Sequence, residues 1–203
     1  MTIRPETEKD HAEVENLTRE AFWNVYQPGC CEHLVVHKLR KDPAFLPGLD
    51  YVIEENDGIV AHIMYARAFV EGEDGVRHEI AIFGPVSVRP DRQGQGLGSQ
   101  IITFTLQKAA EMGIPLVAIT GNPDYYRRFG FETAALHGIR YGALPEGEEA
   151  PFFMAKVLDP QKAAAIRGVY SDPEVYLVTE EETEAFDRHF PPKVKEVREG
   201  QLR

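Results

Sequence analysis

No stretch of the sequence approaches the roughly 18 consecutive apolar residues of a membrane-spanning helix, so no bilayer anchor is expected. Cysteine is nearly missing. Its two copies, Cys30 and Cys31, are neighbours, which suits neither a structural disulfide nor a metal cluster, and both are expected to be free thiols with no metal bound. Basic residues are scarce: 22 Lys and Arg face 33 Asp and Glu, a formal net charge of −11. That balance repels nucleic acids and anionic membranes at long range and argues against either as the main partner. A cationic or neutral substrate fits it, and so does an acidic surface that serves only solubility. Neither common phosphate-loop pattern, G-x-x-x-x-G-K-[ST] or G-x-G-x-x-G, occurs, which disfavours a nucleotide hydrolase or a dinucleotide oxidoreductase. The opening MTIRPETEKD is too polar for a secretion signal, and a cytoplasmic location is expected.

What is present suffices for a full core. At 203 residues and 43% hydrophobic, the chain fits one domain over residues 1–158 with a C-terminal appendage over 159–203 packed on it. MTIRP reads as a short strand, followed by two helices, TEKDHAEVENLTREAFW with Thr7 as N-cap and CEHLVVHKLRK. LDYVIEE and IVAHIMYARAFV flank the hairpin signal NDG, and VRHEIAIFGPVSV makes a third strand in the series. A helix then leads into the buried strand PLVAIT. PDYYRRF reads as a short helix closed by Gly130, before late strands at FETA and PFFMAKVL. The pattern predicts an α/β (α+β) fold: a mixed, mostly antiparallel sheet of about six to seven strands flanked by helices.

The segment VSVRPDRQGQGLGS, residues 86–99, places Gly94, Gly96 and Gly98 between a strand and a helix. Glycine permits positive φ and close approach of the backbone to a ligand. The first-turn N–H groups of a helix have no intrahelical partner and favour an anion, so a phosphorylated ligand is expected there. Gln93-Gly94-Gln95-Gly96-Leu97-Gly98 resembles the Q/R-x-x-G-x-G/A motif of the GNAT superfamily of acyl-coenzyme A dependent N-acetyltransferases. GNPDYYRRFGFE, residues 121–132, is similar to that superfamily's later motif, in which an asparagine precedes a tyrosine four residues before Gly-Phe. It is particularly similar to a bacterial branch of predicted acetyltransferases with the pattern G-N/D-P-x-Y-Y-x-R-F-G-F. The resemblance spans residues 1–158.

It implies that acetyl-CoA is the co-substrate, with its pyrophosphate on Gln93, Gly94, Gln95, Gly96, Leu97, Gly98 and Ser99. Its pantetheine arm would pair with Val86, Ser87 and Val88, and a bulge near Gly84-Pro85 would aim one N–H at the thioester oxygen. Asn122 would bond the pantetheine or nearby backbone; the alternative is a turn residue before Pro123. Tyr126 is the expected general acid, since an ordinary phenol keeps its proton at neutral pH and can give it to a departing thiolate. Neighbouring Tyr125 should turn into the core. Glu79 is the candidate general base, with a plain solvent-facing strand glutamate as the alternative. His33 and His37, four apart on one helix, read as a helix surface, although His33, Cys30 and Cys31 fall where the resembled family's first two helices overhang its acceptor site. The expected function is acetyl transfer to an amine, of a small molecule or a protein, in a ternary complex. The alternative is a non-catalytic acyl-CoA-binding regulatory module. A monomer or a homodimer is compatible with either.

Overall fold

Alternating apolar residues around the turn at Asn56-Asp57 produce the first hairpin, in which β2 (Tyr51–Glu55) pairs antiparallel with β3 (Gly58–Glu71), with a register shift between Ile53 and Glu54. The computed structural model describes residues 1–201, and the chain divides into two compact units with strands β3 and β4 (Arg77–Val88) running through both.

The first unit comprises residues 1–64, 85–102 and the segment from Glu174. Its strand order is β1 (Thr2–Pro5), β2, β3, β4. Two helices, α1 (His11–Phe22) and α2 (Glu32–Leu39), bury Val14, Leu17, Leu34, Val35 and Leu39. Thr7 is not the N-cap of α1. Asp10 holds that position, and the Thr7 N–H and hydroxyl both donate to its carboxylate at 2.8 Å. Arg4 donates to both oxygens of the same carboxylate at 2.7 and 2.9 Å, so the aspartate anchors the turn and the threonine serves it. A buried polar cluster ties these elements together: Arg40 bonds Glu6 and Glu15, and His62 lies 3.0 Å from Asp50. The helix α6 (Glu180–Asp187) also belongs here. Arg19, 1% exposed, bonds Asp187 at 2.6 and 3.1 Å and the Pro191 carbonyl at 3.0 Å.

The second unit comprises residues 65–84 and 103–173. Here β4 pairs parallel with β5 (Leu116–Thr120), reached through the crossover helix α3 (Leu97–Glu111), and β5 pairs antiparallel with β8 (Phe153–Val157). Short strands complete it. β6 (Glu132–Thr133) pairs with β8, while β9 (Gly168–Ser171) pairs antiparallel with β3 and parallel with β7 (Ile139–Tyr141). Two four-residue helices, α4 (Pro123–Tyr126) and α5 (Pro160–Ala163), lie in the connections. Among the described residues the sheet has nine strands, not six to seven. The surplus is β7 and β9, of three and four residues, too short to show a period. Residues 159–173 fall in the second unit and those from Glu174 in the first.

Candidate active site

In the first unit, β4 ends with Ser87 buried and its hydroxyl donating to Thr18 Oγ1 at 2.9 Å. Val86 and Val88, on the alternate face, are half-buried. A single 3₁₀ turn, Pro90–Arg92, leads to Gln93, whose amide donates to the Val88 carbonyl at 3.1 Å, and Gln95 donates to the Asp91 carbonyl at 3.2 Å. Gly94 and Gly96 take φ +72 and +83, a left-handed backbone that explains both glycines. A Cβ at either would meet no atom within 4 Å, so the space beside the turn is open. Gly98 and Ser99 stand in the first turn of α3, and Gly98 is helical rather than part of the turn. The Gln100 N–H donates to the Gly96 carbonyl at 3.0 Å, opening the helical ladder.

The nearby guanidinium groups are committed to carboxylates. Arg89 bonds Asp91 at 2.7 Å and Asp57 at 2.6 Å, and Arg92 pairs with Glu55. The donors left at this turn for an anion are the backbone N–H groups, aided by the α3 dipole. These backbone donors, with open space beside them, fit a pyrophosphate.

In the second unit, β4 departs from regular strand geometry at Gly84, φ +147, beside Pro85. Asn122 caps α4, its Oδ1 accepting the Asp124 N–H at 2.9 Å with Pro123 in the first helical position. Tyr126 is half-buried, its ring 5.9 Å from Phe83 and 6.0 Å from Phe131. Its ring lies against Gly121: a Cβ there would overlap Cε2 and sit 3.1 Å from Cδ2 of the ring. Burial pushes the phenol of nearby Tyr65 up, its bond to Thr105 at 2.9 Å opposes this, and Tyr126 adds to the rise.

Tyr125 does not turn into the core. It is half-buried under the Arg128 guanidinium, 4.7 Å from the ring centroid, and Phe131 fills the core instead. Neither tyrosine of this four-residue helix is buried, and it is the Tyr126 ring that reaches Phe83 and Phe131. Glu79, on β4, has a side chain 60% exposed and pairs with Arg67 at 3.0 Å.

One expectation for the first unit changes. His33 is no surface residue: it is fully buried, with Nε2 3.3 Å from Asp187 and its ring 5.3 Å from Phe186 and 5.2 Å from Phe190. Burial pushes its pKa down to about 4, Arg19 adds to the drop and Asp187 opposes it. His37 turns elsewhere and bonds Glu15 at 2.9 Å, so the two histidines do not form a pair. Cys30 and Cys31 are free, and burial drives the Cys30 thiol far up and Cys31 up to about 11, which favours the protonated thiol at neutral pH. The covering element is α6, from a segment whose docking partner was not legible in the sequence.

A mixed, mostly antiparallel sheet flanked by helices, with a strand passing through a left-handed glycine turn into a helix N-terminus, defines an α/β acyltransferase of the GNAT type. The family model for the acetyltransferase (GNAT) domain matches residues 2–134, and the chain belongs to that family. It is similar to the Escherichia coli K12 protein called uncharacterized N-acetyltransferase YhbS, 32% identical over 141 residues, or 69% of this chain and 78% of that protein. The solved structure of E. coli YhbS in complex with CoA superposes with a TM-score of 0.75 at 26% identity, covering 87% of this chain and 92% of that one. A GNAT family acetyltransferase from Brucella melitensis in complex with acetyl-CoA gives a TM-score of 0.68 at 26% identity, covering 86% and 97%. Among the described residues, no helix is long and apolar enough to cross a membrane.

Proposed function

We propose that the chain binds acetyl-CoA and transfers its acetyl group directly to the nitrogen of an amine acceptor in a ternary complex. The observation that carries this reading is the turn itself: two glycines at left-handed φ before the first turn of α3, with open space beside them. Similar proteins bind CoA and acetyl-CoA. When bound, acetyl-CoA supplies an activated thioester. The chain's own residues hold and steer it. N–H groups from Gly94 to Ser99, with Gln93 bracing the turn, receive the pyrophosphate; the backbone of Val86, Ser87 and Val88 and the side chain of Asn122 take the pantetheine arm.

An alkylammonium acceptor with a pKa near 10.4 must lose a proton first, at a cost of about 4 kcal/mol at neutral pH. Glu79 is the proton acceptor in this scheme, through water given its exposure, and Tyr126 returns a proton to the departing thiolate. The exposure of Glu79 and its pairing with Arg67 favour one rival, a module that binds acyl-CoA without catalysis. Thiol release from acetyl-CoA across a panel of amines separates the two, and Gly96→Asp tests the site beneath both. Acetyl-CoA in about hundredfold excess over its dissociation constant should stabilise the parent by about 2.7 kcal/mol. In Gly96→Asp, which puts a side chain and a negative charge at the pyrophosphate, that gain should vanish. An undiminished thermal shift in a folded Gly96→Asp variant rejects the site.

A further inference from the structure

Within the second unit, β5 and β8 pair Leu116 with Val157 at one end and Thr120 with Phe153 at the other, next to Gly121 and the Tyr126 ring. The Leu116 end carries a cavity of about 220 Å³. Four residues of strand at ~3.3 Å each put it about 13 Å from the Thr120 end, so the acetyl-transfer reading does not use it. Leu116, Val157 and Ala163 give it apolar wall, Leu136 lines it with 74% of its own surface exposed, and His137 and Arg167 add polar groups.

Backbone geometry brings the last three together. Leu136 and His137 end a 3₁₀ turn, Ala134–His137, which Gly138 closes at φ +74. The Gly168 N–H donates to the Gly138 carbonyl at 3.0 Å, where β7 and β9 begin to pair. Arg167 directly precedes Gly168, and its side chain crosses Gly138 so closely that an added Cβ would stand 3.3 Å from Cγ and 3.4 Å from Nη1. Among the described residues, the guanidinium held there has no carboxylate partner, although acidic residues outnumber basic ones 33 to 22. The nearby carboxylates face other groups. Asp159 caps α5 and pairs with Lys162 at 3.3 Å, and Glu132 stands 3.5 Å from His137 Nε2. An unpaired guanidinium beside apolar wall is complementary to an anion that carries an apolar body, and a carboxylate matches its planar fork.

We propose that this cavity binds a short-chain alkanoate, its carboxylate on the Arg167 guanidinium and its carbon chain against Leu116, Val157 and Leu136. The volume sets the length: a dry cavity of about 150 Å³ accepts benzene, so this one admits an acid of about six carbons. The chain covers apolar surface that water otherwise wets, and the ion pair selects the head group.

The test is an NMR titration of the full chain at neutral pH, where an alkanoate is ionised. The probes are sodium n-hexanoate, n-hexanol as its uncharged match and n-hexylammonium chloride as the opposite charge, with potassium chloride to hold ionic strength. Hexanoate should give saturable shifts at the amides of Leu136, His137, Gly138 and Arg167, with hexanol at least about threefold weaker and hexylammonium weaker still. The net charge of −11 would order the two ions the other way, so this preference reads the local guanidinium. Arg167→Gln, at an exposed position, should weaken hexanoate at least about threefold and leave hexanol unchanged. Leu136→Ala, also exposed, should weaken both by about threefold. No saturable shift, shifts confined to other residues, hexanol or hexylammonium binding as tightly as hexanoate, or unchanged hexanoate affinity in either folded variant overturns the proposal. None of these readouts uses acetyl-CoA, so they stand or fall separately from acetyl transfer.

Discussion

Tyr126 depends on a side chain that its neighbour lacks. Because the ring lies over Gly121, adding one methyl group in Gly121→Ala forces the ring or the backbone to move, at a cost of about 1–3 kcal/mol. Tyr126→Phe keeps the ring and removes only the proton, so packing should survive while turnover falls at least about tenfold, within the range of general acid catalysis. If both act through the phenol, Gly121→Ala also lowers turnover, with a loss of stability in denaturant unfolding that Tyr126→Phe does not share. Equal turnover in Tyr126→Phe and the parent, where chemistry limits the rate, removes Tyr126 from the mechanism. At this scale the sequence is legible where a residue type encodes its own geometry. Gly94 and Gly96 announce a left-handed turn because few other residues tolerate it. Gly121 stands in the quoted motif, but its role depends on where a ring five residues later folds back. His33 depends likewise on what buries it, which no local pattern records.

The longest elements are the legible ones. β3, β4 and α3 carry enough turns of an alternating or helical pattern to stand out, whereas β6, β7 and β9 have two to four residues and exist because a neighbouring strand offers an edge. Helix α6 announces itself by its capping box, Thr179 and Glu182, but its docking on α1 and α2 is a tertiary fact. That docking has a pH signature. Unfolded, an imidazole takes its proton near 6.5; folded, His33 does so only at about 4, because burial against α6 disfavours the charge. Between those values the unfolded chain holds the extra proton. The contribution of His33 is therefore complete above about pH 6.5 and is lost as pH falls towards 4, a total of about 3 kcal/mol. The buried His62, also pushed down to about 4, acts in the same direction, while Glu6 and Asp50 beside it are pushed up and oppose it. The difference between parent and His33→Gln isolates the one residue. Denaturant unfolding at a series of pH values should give the variant a shallower rise in stability from pH 4 to 6.5, by about one proton. Parallel profiles would show that His33 titrates normally and is not sealed beneath α6.

For the whole molecule, the dominant quantity is the net charge of −11. It acts on the two proposed substrates with opposite sign. A cationic amine is drawn towards an acidic surface and its encounter rate is raised, while polyanionic acetyl-CoA is repelled until it reaches the N–H groups of the glycine turn. Raising ionic strength from about 0.01 M to about 0.15 M shortens the screening length from about 30 Å to about 8 Å and weakens both effects. The kcat/KM for a cationic acceptor should then fall, by at least about threefold given the usual range of electrostatic steering. That for a neutral amine surrogate should stay level. Over the same range acetyl-CoA should bind more tightly, because long-range repulsion is screened while the short contacts at the first turn of α3 persist. Two opposed slopes in one salt series are hard to produce by a general effect of salt on folding, which would move both substrates together. Parallel slopes, or a flat response for the cationic acceptor, would mean that the acidic surface serves solubility alone and leaves acceptor choice to local contacts.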